Sequence, residues 1–239
     1  MPLPFRRSDR GALLIAAGVL ALAALLVVAT LDRPIPPAFP PTEPAPAEVG
    51  PRLAGPATYT VDASGPDRWR YFDFSRGATV DPAGPLDWDL AFRRFHIIAN
   101  GGDGFAGAGG IADLGELRFD SVLTVPDAGY RPNVVGTDTV NPAIRDWYDY
   151  GFTSHLLTPR PRVYAVRTAD GRYAKLELVS YYCPDARAGC ITIRYVYQGD
   201  GSRAVDPRMD AAAGAPPETI PAPASGTQAG PSDQAGDAG

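Results

Sequence analysis

The sequence predicts a mostly β protein, a single antiparallel β-sandwich-like domain behind an N-terminal transmembrane helix. Three observations carry that prediction. Residues 163–198 alternate apolar and polar side chains on both sides of a tight turn, as paired strands do. Gly11 to Leu31 runs without a charge, long enough to cross a bilayer as a helix. The 26 Pro and 26 Gly cluster in stretches between and beyond these regions, and so mark where the folded part begins and ends.

The chain opens with Arg6, Arg7 and Arg10 against Asp9. Residues 1–10 therefore read as a basic cytoplasmic stub and residues 11–31 as an anchor, since basic flanks stay on the cytoplasmic side. This places a single-pass protein in the inner (cytoplasmic) membrane, N-terminus inside, with its domain in the periplasm or another extracytoplasmic space. A cleaved signal peptide is the rival reading, but its apolar core would be shorter, and no A-x-A step closes the run before Asp32. No cysteine follows the run until Cys183, which excludes lipid attachment there. Residues 32–56 are proline-rich. They read as a polyproline II spacer reaching roughly 70 Å at about 3.1 Å per residue.

The folded domain is expected over residues 57–200. Tyr59-Thr-Val61 is a first strand, and in the next Trp69, Tyr71 and Asp73 alternate with Arg70, Phe72 and Phe74. In Trp88–Ile98, Trp88, Leu90 and Phe92 share a face, then parity switches to Phe95 and Ile97. A one-residue bulge near Arg94 reconciles the halves. Asn100–Gly110 lacks the Gly-Lys-Ser/Thr ending of a phosphate loop and reads as a mobile surface loop. Leu117–Val125 can be a strand. Asn141–Tyr148 reads as a short helix with Asn141 as cap and Pro142 at its first position. Tyr164, Val166 and Thr168 then lead to an Asp170-Gly171 turn. The return strand sets Ala174, Leu176 and Leu178 against Lys175 and Glu177. In the last strand Ile191, Ile193, Tyr195 and Tyr197 oppose Thr192, Arg194 and Gln198. One charged face predicts a sheet solvated on one side. Residues 201–239 hold few large apolar side chains and read as a disordered tail.

Chemical signals are sparse. A net charge of -5 argues against nucleic acid, which needs clustered Lys and Arg. In an exported protein, Cys183 and Cys190 read as a disulfide pinning a strand connection. Chain entropy for so short a loop gives about 2.5 kcal/mol. A metal or redox pair is the alternative, but CPDARAGC lacks CxxC spacing and a neighbouring His. No hydrolase elbow, zincin helix or Walker loop occurs, and Ser154-His155 has no evident third partner. Asp87 and Asp89 share a face, as a solvated pair on a strand edge would. No catalytic role is assigned.

The runs YAVRTADGRYAKLELVSYY and GCITIRYVYQ carry a resemblance. With Trp69-Arg-Tyr-Phe-Asp-Phe74, and with Trp88-Asp-Leu-Ala-Phe92 leading to Asn100-Gly-Gly102, they resemble the HmuY family of heme-binding proteins over roughly residues 58–200. The resemblance implies a β domain that grips heme between two side chains, commonly histidines. His96 and His155 are the only histidines present and are the candidate iron ligands. Phe95, Tyr148, Tyr150 and Phe152 are candidate pocket residues, and Tyr150 and Met209 are other potential ligands. The implied function is non-catalytic binding of an iron porphyrin, as in iron acquisition, by a membrane-tethered domain. A helix here replaces the lipid of lipid-anchored members. The alternative is a structural or protein-interaction domain that has lost the iron site. In that case His96 is a packed or surface residue of its strand and His155 anchors its own loop through a backbone hydrogen bond.

Overall fold

Period-two alternation becomes two antiparallel sheets in a computed structural model that describes residues 7–31, 34–206 and 208. After α1 (Arg7–Leu31) come β1 (Leu53–Asp62), β2 (Arg70–Asp73), β3 (Ala78–Val80), β4 (Leu90–Arg93), β5 (His96–Ala99) and β6 (Gly110–Asp113). Then follow β7 (Val134–Val135), β8 (Thr139–Val140), β9 (Tyr148–Tyr150), β10 (Leu157–Pro159), β11 (Val163–Arg167), β12 (Tyr173–Cys183) and β13 (Arg187–Gln198). α1 is long and apolar enough to cross a membrane.

The larger sheet has strand order β1-β13-β12-β11-β6 and the smaller one β3-β2-β4-β5. They face each other across one core. Leu176, Ile191, Ile193 and Tyr195 from the larger sheet meet Phe72, Phe74, Leu90 and Phe92 from the smaller. Burying a side chain of this size stabilises by about 1.5–3 kcal/mol, so alternation on these strands fixes which face turns inward. Gly171 takes φ 85° in the β11–β12 turn, and Cys183 is joined to Cys190 across the β12–β13 connection.

The outer face of the larger sheet is largely covered, contrary to the expectation from its charges, with Glu177 and Arg194 only half-buried at the edge of the cover. Phe119, Val122, Val125 and Val205 cover it. Lys175 is buried there, its Nζ donating to the Phe119 and Val122 carbonyls at 3.1 and 2.7 Å. Residues 117–125 therefore form not a strand but an irregular cover with one 3-10 turn at Phe119–Ser121. Val205 belongs to this layer and its amide donates to the Leu123 carbonyl, so the ordered domain passes residue 201. Met209 and the rest of the expected tail lie outside the described residues.

Four local expectations also change. The parity switch in 88–98 is a hairpin rather than a bulge: Arg93 pairs with His96, and Arg94 takes φ 53° in the turn. Trp88 leaves the face of Leu90 and Phe92, packing instead with Ala91 and Ile98. Asn100–Gly110 is packed, because a Cβ at Gly101 would lie 1.9 Å from the Gly109 carbonyl oxygen. The 141–148 segment is one turn closed by Arg145 N–H on the Asn141 carbonyl, after which Tyr148 begins β9.

The proline-rich segment is not a free spacer. The Ser180 hydroxyl donates to the Pro37 carbonyl, Phe39 N–H to Tyr182 O, Thr42 N–H to Thr60 O, and Val49 N–H to Ser75 O. Residues 37–49 thus run as a strap over the open edge strand β1. That edge starts at Leu53, inside the segment expected to be linker.

Candidate functional site

Two hairpins carry the candidate ligands. In the first, the Arg94 N–H donates to the Ala63 carbonyl at 2.8 Å, and the Trp147 indole N–H donates to the Phe95 carbonyl at 2.9 Å. These bonds fix the β4–β5 turn. Phe95 lies against His96, ring centroids 4.4 Å apart, and against Tyr148 at 5.9 Å. On the other side Asp138 bonds Arg93 at 2.6 Å and stands 3.8 Å from His96 Nε2. Asn133 holds the loop that delivers Asp138, exchanging side-chain hydrogen bonds with both backbone groups of Ala99. Burial lowers the His96 pKa, opposed by Asp138 and assisted by Arg93. Its imidazole is therefore neutral at neutral pH.

The second hairpin pairs β9 with β10, Tyr150 opposite Leu157. His155 sits in its connecting loop at φ 57° and shares a short hydrogen bond between Nδ1 and the Tyr150 hydroxyl. Nε2 is the ring nitrogen outside that bond. Phe152, in the same loop, is 85% exposed and Tyr150 is 55% exposed. Tyr148 and Tyr150 are two apart on β9 and so project to one face.

The structure groups Phe95, His96 and Tyr148 on one side, and Tyr150 and His155 on the other, with β9 joining the groups. His155 is hydrogen-bonded to Tyr150, whereas the neutral His96 ring has Asp138 nearby at 3.8 Å. A cleft of about 480 Å³ lies elsewhere, between the strap and the edges of β1 and β3, lined by Thr42, Asp62, Trp69, Arg70 and Thr79 among others. Neither histidine lines it.

Sequence reading missed the burial of Lys175 and Asp89. Lys175 appeared to mark a wet face. Asp89 is buried rather than solvated, each of its carboxylate oxygens accepting a backbone N–H, one from Phe74 and one from Ala169. Asp87 instead accepts from Gly84 N–H at 2.7 Å. Asp89 follows Trp88 and precedes the buried Leu90-Ala-Phe92 run, the one local sign that its side chain turns inward.

Fold and site together define a two-sheet antiparallel sandwich with its two imidazoles raised on hairpins at opposite ends of a short aromatic strand. The chain belongs to the HmuY family, whose model, described as HmuY protein, matches residues 66–195. Among solved structures it is similar to the apo HmuY analog of Tannerella forsythia, with 19% identity and TM-score 0.50 over 63% of this chain and 99% of that one. An HmuY-like protein of Bacteroides vulgatus gives 22% identity and TM-score 0.49 over 63% and 98%. Apo PinO of Porphyromonas gingivitis gives 15% and 0.49 over 62% and 97%. No curated protein matches the chain.

Proposed function

We infer that the protein is a membrane-tethered, extracytoplasmic module that binds heme without catalysing a reaction. His96 and His155 are the iron ligands; Phe95, Tyr148, Tyr150 and Phe152 line the porphyrin. The observation that carries this reading is the aromatic line from His96 through Phe95 and Tyr148 along β9 to Tyr150 and His155. It connects the chain's only two histidines. Membership of the HmuY family supports it.

The donor chemistry fits iron porphyrin. Iron in the porphyrin offers axial positions that imidazole fills. A lowered pKa keeps His96 neutral, and the Tyr150 hydroxyl orients His155 as outer partners of ligating histidines do. The exposed rings of Phe152 and Tyr150 supply apolar area. For location, α1 serves as an uncleaved single-pass anchor in the inner membrane, N-terminus inside. The Cys183–Cys190 disulfide suits an oxidising compartment beyond it.

Titrating the protein with hemin tests the reading. A Soret shift that disappears in the His96→Ala/His155→Ala double variant is expected. No shift, or one unchanged by the double variant, sinks it. One observation favours a protein-interaction domain as second reading: the Tyr150 hydroxyl already engages the His155 ring. That reading predicts no Soret change at all.

A further inference from the structure

The distance between helix and domain is set by very little chain. Residues 32–36 alone separate Leu31, the end of α1, from Pro37, whose carbonyl takes the Ser180 hydroxyl. At no more than about 3.6 Å per residue, the step from Leu31 to Pro37 reaches about 20 Å at most. The headgroup layer uses roughly 6 Å of that. The strap beyond Pro37 gives no slack, being held at Tyr182 and Thr60 by backbone bonds of 2.9 Å each. The end of the sandwich that receives the strap must therefore stand within about 15 Å of the lipid surface.

That end carries unusual side chains. Pro34 to Pro37 share a groove with Leu156, Leu157 and Tyr182. Leu156 adjoins His155 in the β9–β10 loop, and Leu157 N–H donates to the Tyr182 hydroxyl at 2.8 Å. Ile35 is 91% exposed, Phe152 85% and Tyr150 55%. Large apolar and aromatic groups so exposed are favoured at a membrane interface, where ring and hydroxyl each find their medium.

We propose that the 151–156 loop, with Phe152 foremost and Ile35 at its base, packs against the headgroup layer of the bilayer that α1 spans. The proposal rests on the reading of α1 as an uncleaved span and concerns the heme-free protein, because heme would compete with lipid for Phe152. Its partner is the lipid surface itself, chosen because the tether is too short to carry this end of the domain away from it.

The full chain in phosphatidylethanolamine/phosphatidylglycerol vesicles tests this, with an environment-sensitive fluorophore on Phe152→Cys and a control on Asp103→Cys. Asp103 is exposed in the loop beside the β11–β12 turn, at the far end of β12 from the strap. Headgroup-nitroxide lipids are expected to quench the label at 152 several-fold more than at 103. A Gly/Ser insert of about twenty residues between Leu31 and Pro34 is expected to remove the difference. Equal quenching at both sites in protein that floats with the vesicles overturns the proposal and leaves the anchor standing. A blue shift at 152 without nitroxide quenching also overturns it, in favour of contact with a second copy. Protein that fails to float removes the anchor, and the proposal with it.

Discussion

The carboxylate of Asp89 accepts the backbone N–H of Ala169 at 2.8 Å, tying the start of β4 to the β11–β12 turn across 80 residues of sequence. Its other oxygen accepts Phe74 N–H at 2.8 Å. One side chain thus staples the two sheets together. Asp89→Ala leaves two buried amides unpaired, at about 1–3 kcal/mol each. Urea unfolding measures that loss.

Asp89 also predicts a pH effect. Burial, then the nearby Asp73 carboxylate, pushes its pKa up to about 7. The native state holds this proton more tightly than the unfolded chain, whose carboxyl titrates near 3.8. Its contribution is therefore fully present below that value and is lost as pH rises through about 7. Stability should fall between about pH 4 and pH 7 and level off above that, and Asp89→Asn should flatten the slope. An unchanged slope in the variant would show that another group titrates.

Lys175 makes the layer over the larger sheet testable. Its ammonium satisfies the Phe119 and Val122 carbonyls and lies 4.6 Å from the Phe119 ring centroid. Lys175→Met keeps the bulk and removes the donors, so a loss of about 1–3 kcal/mol is expected. Hydrogen exchange should quicken in residues 119–125 before it does in β12. Uniform quickening would contradict a local role.

Gly101 and Gly104 separate a packed loop from a loose one. Ala at 101 drives its Cβ into the Gly109 carbonyl, whereas at 104 nothing lies within 4 Å and only the positive φ resists. Gly101→Ala should cost about 3 kcal/mol, Gly104→Ala about 1 kcal/mol. Thermal melts that rank the two equally would return the loop to the mobile class.

If Tyr150 orients His155 for iron, Tyr150→Phe should weaken hemin binding at least about tenfold, and His155→Ala should weaken it further. The lowered pKa of His96 also has a readable consequence. Proton competition for its ring should begin below the ordinary value of 6.5, so coordination by His96 should persist into mild acid. Absorption titrations at stepped pH measure both effects.

The sandwich was legible where one rule governs one strand. Leu176, Leu178, Ile191 and Ile193 announce an inward face because alternation is enforced by the pleat, and Asp170-Gly171 announces its turn because positive φ favours glycine. Arg94 announces nothing: a non-glycine residue at φ 53° leaves no mark on composition. Lys175 and Asp89 misled because charge normally signals water, while here backbone groups from distant segments receive them. The strap misled for a different reason. Prolines suggest a free rod, yet Phe39, Thr42, Ala47 and Val49 stand between them with the amide hydrogens that dock it. The candidate ligands were easy to name, being the only histidines. The placing of Asp138 beside His96 depends on a long-range pairing that no local pattern encodes, whereas the Tyr150–His155 bond spans only five residues of one hairpin.

The pairing of β1 with β13, and of Pro37 with Ser180, sets a timetable for biosynthesis. β1, among the earliest parts of the domain to leave the ribosome, has nearly the last strand as its sheet partner. Until β13 is made, β1 has only its strap beside it, so the larger sheet closes in one late step after translation has all but finished.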